Sequence, residues 1–179
     1  MISPFRDIFV AHCVSTSKEL AGEFQKLARK HRPDGTEMPN VFLSSDPFSI
    51  PSGKLSLEVV LGHLDTCTDF VALITDVKDW KNRSISFETG YFMGRQKVRA
   101  EYAPHEMGNQ KRPLIFVFGD LIEKRASWPF DEHQLIDTRN SSRVRNALLN
   151  MGIRPCDDEC MSEFTALFGK DKCKNASRS

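Results

Sequence analysis

The stretch 69–94 contains the residues whose types and spacing are best suited to chemistry. It opens with an unbroken apolar run, 70–74, which is typical of a strand buried on both faces of a sheet. A polar loop containing Trp80 follows, and a helix is predicted to begin near Ser84, with Glu88 in its first turn. Because open α/β sheets bind ligands beyond the carboxyl ends of their strands, Glu88 is the leading site candidate.

A carboxylate in this place could stabilise positive charge in a bound group, or it could attack as a nucleophile. The alternative is a solvated glutamate without a chemical role, because the helix dipole favours acidic side chains near a helix N-terminus. A capping box does not explain Glu88, since the residue three positions before it is Ile85.

Alternating strand and helix patterns supply the elements that must position Glu88. Segments with apolar residues at helical spacing lie between the apolar runs. This alternation favours a parallel sheet with helices on both faces. We predict an α/β, flavodoxin-like three-layer fold with a central parallel sheet of four to five strands. The predicted strands, of which the last is weak, are 7–11, 41–43, 70–74, 114–118 and 135–136.

Bulk composition limits the classes of partner. The 179 residues are enough for one domain with a core, and the net charge of +1 creates no field that would attract nucleic acid or anionic lipid. No apolar run approaches the ~20 residues needed to span a bilayer. The N-terminus lacks the features of a signal peptide. We therefore expect no nucleic-acid and no membrane partner.

The five cysteines have irregular spacing and form no Cys-x-x-Cys pair. Zinc sites need regularly spaced cysteine or histidine pairs, so we expect no metal site. Free thiols are typical of a reducing compartment, which indicates a cytoplasmic location.

The alternating pattern fades after Gly152, which suggests a domain boundary. We predict a domain over residues 1–153 and a C-terminal extension over 154–179, with a short docking helix around Phe164 and a terminal tail.

Several short motifs, taken in order, resemble the Toll/interleukin-1 receptor (TIR) domain family, in its NAD-cleaving, bacterial-type branch. Residues 7–12 resemble the family's opening strand, and the loop 47–54 resembles its BB loop. Trp80, Ser84, Ser86 and Glu88 resemble its tryptophan-serine-glutamate segment, although the interval from Trp80 to Glu88 is wider than in the compact motif. The likeness covers about residues 5 to 153.

The resemblance implies a TIR-type NAD glycohydrolase in immune or defence signalling, with NAD as the substrate and no bound cofactor. It would cleave the nicotinamide–ribose bond to give nicotinamide and ADP-ribose or a cyclic ADP-ribose isomer. Glu88 would be catalytic, because a fixed carboxylate stabilises the oxocarbenium-like cation that develops on the ribose.

The same resemblance implies substrate contacts from His12, Phe48, Trp80, Arg83 and Ser84. Trp80 could stack on an aromatic ring of NAD or close the edge of the core. Arg83 could meet the pyrophosphate with Lys78 and Lys81, or all three could form a solvated basic loop. His12 follows a strand and could line the pocket or serve as a hydrogen-bonded structural histidine.

The loop 47–54 carries the apolar residues Phe48 and Ile50 between two prolines. It could be a lid hinged at Gly53, an assembly surface, or an ordered loop whose apolar side chains enter the core. For TIR proteins the resemblance implies self-association through this loop.

Two other functions remain open. One is a TIR interaction or adaptor module without catalysis. The other is a nucleoside deoxyribosyltransferase-like enzyme, a family that uses a Glu-x-Gly context similar to Glu88-Thr89-Gly90, with glutamate as the nucleophile.

Overall fold

The computed structural model describes residues 7–31, 40–43, 56–102, 112–124, 135–153 and 158–169. Within them, five strands alternate with five α-helices and one 3-10 helix. The strands are β1 (Asp7–Ala11), β2 (Asn40–Leu43), β3 (Asp69–Ile74), β4 (Leu114–Val117) and β5 (Leu135–Asp137). The α-helices are α1 (Val14–Lys30), α2 (Ser56–Thr66), α3 (Arg83–Tyr102), α4 (Ser141–Asn150) and α5 (Asp158–Gly169).

The five strands form one sheet in the order β2-β1-β3-β4-β5, and every neighbouring pair is parallel. This is the flavodoxin-like order, and it confirms the fold class predicted from the sequence. The order reverses between β1 and β3, where Phe9 is opposite Phe70 in the register. The carboxyl ends of these two strands therefore flank the crevice in which such sheets bind ligands.

Helices cover both faces of the sheet, so the central strands are apolar on both sides. All six residues of β3 are buried, as its unbroken apolar run predicted. One core cluster includes residues of α1, α4 and α5, and the other includes residues of α2, α3 and the 3-10 helix. The sheet lies between these two layers.

The segment after residue 153 contains α5, whose Phe164 is fully buried in the same core cluster as Phe24 of α1. The two rings are 6.0 Å apart between centroids. At the end of α1, Lys30 and His31 pair with Glu163 at 2.5 and 2.6 Å. The division of the chain at residue 153 stays a prediction.

Two local predictions near the site were wrong. The polar loop containing Trp80 is a 3-10 helix, Val77–Lys81. The following helix, α3, begins at Arg83, so Glu88 lies in its second turn and not in its first. The N-cap residue of α1 is Cys13.

Candidate functional site

Glu88 is a buried carboxyl group. Its side chain projects from the second turn of α3, and the residue is only 5% exposed. Its Oε2 atom has no hydrogen-bond partner among the described residues. Because burial removes water from the charged form, the pKa of Glu88 rises to about 8. The alternative of a solvated glutamate is therefore wrong.

Glu88 lines a cavity of about 590 Å³ near the end of β1. The walls come from the β1–α1 turn, the first turns of α2 and the start of α3. The polar lining residues are His12, Cys13, Ser15, Asn82, Ser84 and Glu88. The apolar lining residues are Val14, Leu57, Val60 and Phe87. This volume is within the range of ligand sites, and one of the lining residues, Glu88, has a buried oxygen without a described partner.

His12 follows β1 directly and is 4% exposed. Its Nδ1 atom lies 3.3 Å from the carbonyl oxygen of Val10, and this hydrogen bond requires the proton on Nδ1. Burial lowers the pKa of His12, although the hydrogen bond to Val10 opposes the shift. His12 therefore lines the cavity as a neutral imidazole near pH 7.

Ser84 enters the cavity wall because Asn82 starts α3 beside it. The Asn82 Oδ1 atom accepts hydrogen bonds from the backbone N–H groups of Ser84 and Ile85, at 3.0 and 3.1 Å. Asparagine is a preferred residue at this position because its side chain satisfies the first N–H groups of the helix. The cap fixes the first turn of α3, directly before the turn from which Glu88 projects.

The cavity brings together three of the six predicted site residues, His12, Ser84 and Glu88. Trp80 and Arg83 are absent from its described lining. Trp80 is 5% exposed and belongs to the core cluster that contains Ile85, whereas Arg83 is exposed. Phe48 and the loop 47–54 lie outside the described residues. Substrate contacts by these residues stay predictions.

Asp79 accepts hydrogen bonds from the chain segments on both sides of the crevice, and the sequence analysis did not identify it. The residue is fully buried, and its Oδ2 atom accepts hydrogen bonds from the N–H groups of Thr75 and Asp76, at 2.8 and 3.0 Å, and from Thr75 Oγ1 at 3.1 Å. Its Oδ1 atom accepts from Thr16 Oγ1. The spacing Asp76-x-x-Asp79 forms a capping box at the 3-10 helix, and this pattern was the signal available in the sequence.

A second cavity, of about 510 Å³, lies beyond the ends of β3, β4 and β5. Two of its lining residues are cations that already pair with carboxylates. Arg139 contacts Asp137 and Glu123 at 2.7 and 2.8 Å, and Lys124 contacts Asp120. The cavity at Glu88 is the stronger candidate because it has a buried polar atom without a partner among the described residues.

Neither a metal-ligand cluster nor a membrane-spanning helix is found in the described part of the chain. No group of three or more histidine, cysteine, aspartate or glutamate side chains there could hold a metal ion. Within the same residues, no helix has both the length and the apolar composition that crossing a bilayer requires.

The fold and the cavity define an α/β protein of flavodoxin-like order with a carboxyl-lined cavity beside the β1–β3 crevice. No protein-family model matches the sequence, and a search of curated proteins also gave no match. Among solved structures, the chain is similar to the TIR domains in the activated Roq1 resistosome directly recognizing the pathogen effector XopQ. The TM-score is 0.43 and the identity 10%, over 90% of this chain and 82% of the other.

Proposed function

We propose that the protein is a TIR-type NAD glycohydrolase in which Glu88 acts on the bond between nicotinamide and ribose. The observation that carries the proposal is the buried Glu88 carboxyl, which has an oxygen without a partner among the described residues and lines a cavity of ligand size. The resemblance of residues 80–88 to the tryptophan-serine-glutamate segment of TIR domains supplies the reaction.

The electrostatics of Glu88 suit a cationic substrate. With a pKa of about 8, the carboxyl is mostly protonated at pH 7 when the cavity is empty. A nicotinamide ring bound through its nitrogen to ribose carries positive charge, and a nearby positive charge lowers the pKa of a carboxyl group. Substrate binding would therefore release the proton and create the carboxylate at the moment when it is needed.

The carboxylate would then stabilise the transition state. Nicotinamide leaves as a neutral base, so the reaction needs no strong general acid. The positive charge moves to the ribose, and a fixed carboxylate beside an oxocarbenium-like sugar lowers the barrier by several kcal/mol, on the order of a hundredfold or more in rate. Water would then give ADP-ribose, whereas an internal nucleophile would give a cyclic isomer.

The biological setting of the proposal is immune or defence signalling in the cytoplasm. Its support is the motif resemblance together with the free cysteines Cys13 and Cys67, which suit a reducing compartment.

The experiment compares wild type with Glu88→Gln and Glu88→Ala at high protein concentration and measures nicotinamide release from NAD by chromatography. We expect release by wild type and a loss of at least about a hundredfold in both variants, since neither carries the charge. Glu101→Gln, the same chemical change at an exposed residue of α3 outside the described cavity lining, is the matched control. Nicotinamide release by folded Glu88→Gln at the wild-type rate would refute the proposal.

A second candidate function is a TIR interaction module without catalysis. Three apolar residues of the cavity wall are strongly exposed: Val14 at 58%, Leu57 at 56% and Phe87 at 48%. Grouped exposed apolar side chains are a feature of protein interaction surfaces. Assembly without any nicotinamide release would favour this function over the enzyme.

A further inference from the structure

Cys13 lies at the N-terminus of a helix and is accessible to solvent. It is the N-cap residue of α1, a helix of 17 residues, and its carbonyl oxygen accepts the N–H groups of Thr16 and Ser17 at 3.2 and 2.8 Å. Its side chain is partly exposed, and its Sγ atom lies 3.1 Å from Ser15 Oγ. The positive end of a helix dipole stabilises a thiolate, which is the nucleophilic form of cysteine.

The surroundings of Cys13 favour the thiolate overall. Burial acts to raise the pKa of Cys13, but hydrogen bonding by its neighbours in α1, Ser15 foremost, outweighs this effect and leaves the pKa below its ordinary value. The buried carboxylate of Asp79, on the 3-10 helix, opposes ionisation. His12 of β1 is neutral near pH 7, and Glu88 of α3 is uncharged below a pH of about 8.

An independent observation indicates that Cys13 faces a ligand space. Cys13 lines the same cavity as Glu88, and the buried Oε2 atom of Glu88 has no hydrogen-bond partner in the described part of the chain. Cys13 therefore lies in the wall of a cavity that is also lined by a residue with an unsatisfied polar atom. A molecule attached to Cys13 would occupy part of the space beside Glu88.

We infer that Cys13 is a covalent modification site at which small electrophiles, chiefly low-molecular-weight disulfides, attach and close the Glu88 cavity. The Cys13 thiolate attacks one sulfur of the disulfide, a new S–S bond forms, and the old S–S bond breaks. The second half leaves as a thiolate and takes up the proton that the Cys13 thiol lost. Cys13 is oxidised, and the departing thiol is the reduced product.

The other described cysteines provide internal controls. Cys67 is 2% exposed, and burial raises its pKa to about 11. Cys160 is 1% exposed and belongs to the core between α1 and α5. Buried cysteines with little thiolate react slowly with electrophiles. Selectivity for Cys13 over these two residues is therefore the first measurable consequence.

The first experiment treats native wild type with oxidised glutathione or iodoacetamide and follows each cysteine-containing peptide by mass spectrometry. We expect Cys13 to react on the order of tenfold faster or more than Cys67 and Cys160, because it has access and a larger thiolate fraction. Ser15→Ala should slow the reaction at Cys13 while the slow rates at Cys67 and Cys160 stay unchanged. Equal rates at Cys13 and Cys67 in folded protein would overturn the inference.

The second experiment tests closure of the cavity. Wild type and Cys13→Ser, both with ¹³C-labelled glutamate, are titrated by NMR before and after treatment with oxidised glutathione, and the Glu88 signal is assigned with Glu88→Gln. Treatment should shift the pH midpoint of the Glu88 titration in wild type and leave this midpoint unchanged in Cys13→Ser. An adduct on Cys13 with an unmoved Glu88 titration would refute closure.

NAD cleavage serves as a further readout, which depends on the proposed function. Treatment should reduce nicotinamide release by wild type, and the ratio of treated to untreated activity should stay near one in Cys13→Ser. If untreated wild type releases no nicotinamide, the proposed function fails. The peptide rates and the Glu88 titration then still decide the inference about Cys13.

Discussion

Thr16 Oγ1 donates a 2.8 Å hydrogen bond to Asp79 Oδ1, although the two residues are 63 positions apart in the sequence. Thr16 belongs to the first turn of α1, directly after β1, and Asp79 belongs to the 3-10 helix after β3. Their contact joins the two chain segments that leave the sheet at the β1–β3 crevice. The cavity at Glu88 is built from residues beside this contact.

The first prediction concerns Asp79. Asp79→Ala would remove the carboxylate that accepts four hydrogen bonds. The N–H groups of Thr75 and Asp76 would lose this acceptor. We expect the free energy of unfolding to fall by roughly 2–4 kcal/mol, measured by urea denaturation. Thr16→Val, which loses a single one of these bonds, should cost about 1 kcal/mol. Equal losses in the two variants would contradict the central place given to Asp79.

The second prediction concerns stability and pH. The pKa of Glu88 is about 8 in the folded protein against an ordinary 4.5, so the folded state binds this proton more tightly than the unfolded state does. The contribution of the Glu88 proton to the free energy of unfolding is complete below pH 4.5 and is lost as pH rises towards 8. In wild type, the free energy of unfolding falls by at most about 1.4 kcal/mol per pH unit in this range.

Glu88→Gln isolates this effect, because glutamine keeps the shape and stays neutral. Its free energy of unfolding relative to wild type should increase between pH 5 and pH 8, measured by urea denaturation at both values. Parallel pH dependences in the two proteins would show that the Glu88 carboxyl is not desolvated.

The third prediction concerns the pH dependence of NAD cleavage and depends on the proposed function. If the ionised Glu88 carboxyl reacts, kcat/KM should rise with pH and level off near the free-enzyme pKa of about 8. The midpoint for kcat should lie at lower pH, because the bound cationic substrate lowers the pKa of the carboxyl. Initial rates across pH 5.5–9 at limiting and at saturating NAD would measure the midpoints of kcat/KM and of kcat. Coincident midpoints would argue against direct contact between Glu88 and the cationic ring.

The fourth prediction concerns the loop 47–54, which lies outside the described residues. Phe48→Asp should weaken self-association, because a charge on an assembly surface must lose its water when two copies meet. Sedimentation velocity across a range of protein concentrations would measure the change, with Ser49→Asp as a charge-matched control. An unchanged size distribution in Phe48→Asp would count against this loop as the assembly surface.

Much of the fold could be predicted from local patterns. The apolar run 70–74 became β3, with all six residues of the strand buried, and the weak signal at 135–136 became β5. Strand and helix periodicity depends on which faces are buried, and a few neighbouring residues determine it. The prediction of the turn after β3 was wrong because the Asp76–Asp79 capping box was not recognised.

The sequence by itself determined the order of the elements and located Glu88 past the end of a buried strand, because apolar periodicity and strand ends are local properties. Only the tertiary structure decided that Glu88 is desolvated beside His12 and Cys13, that Trp80 lies in the core, and that Asp79 accepts a hydrogen bond from Thr16. Burial and hydrogen bonding depend on segments that are far apart in the chain and meet only when the sheet is assembled. Charge and reactivity at this site therefore depend on the fold.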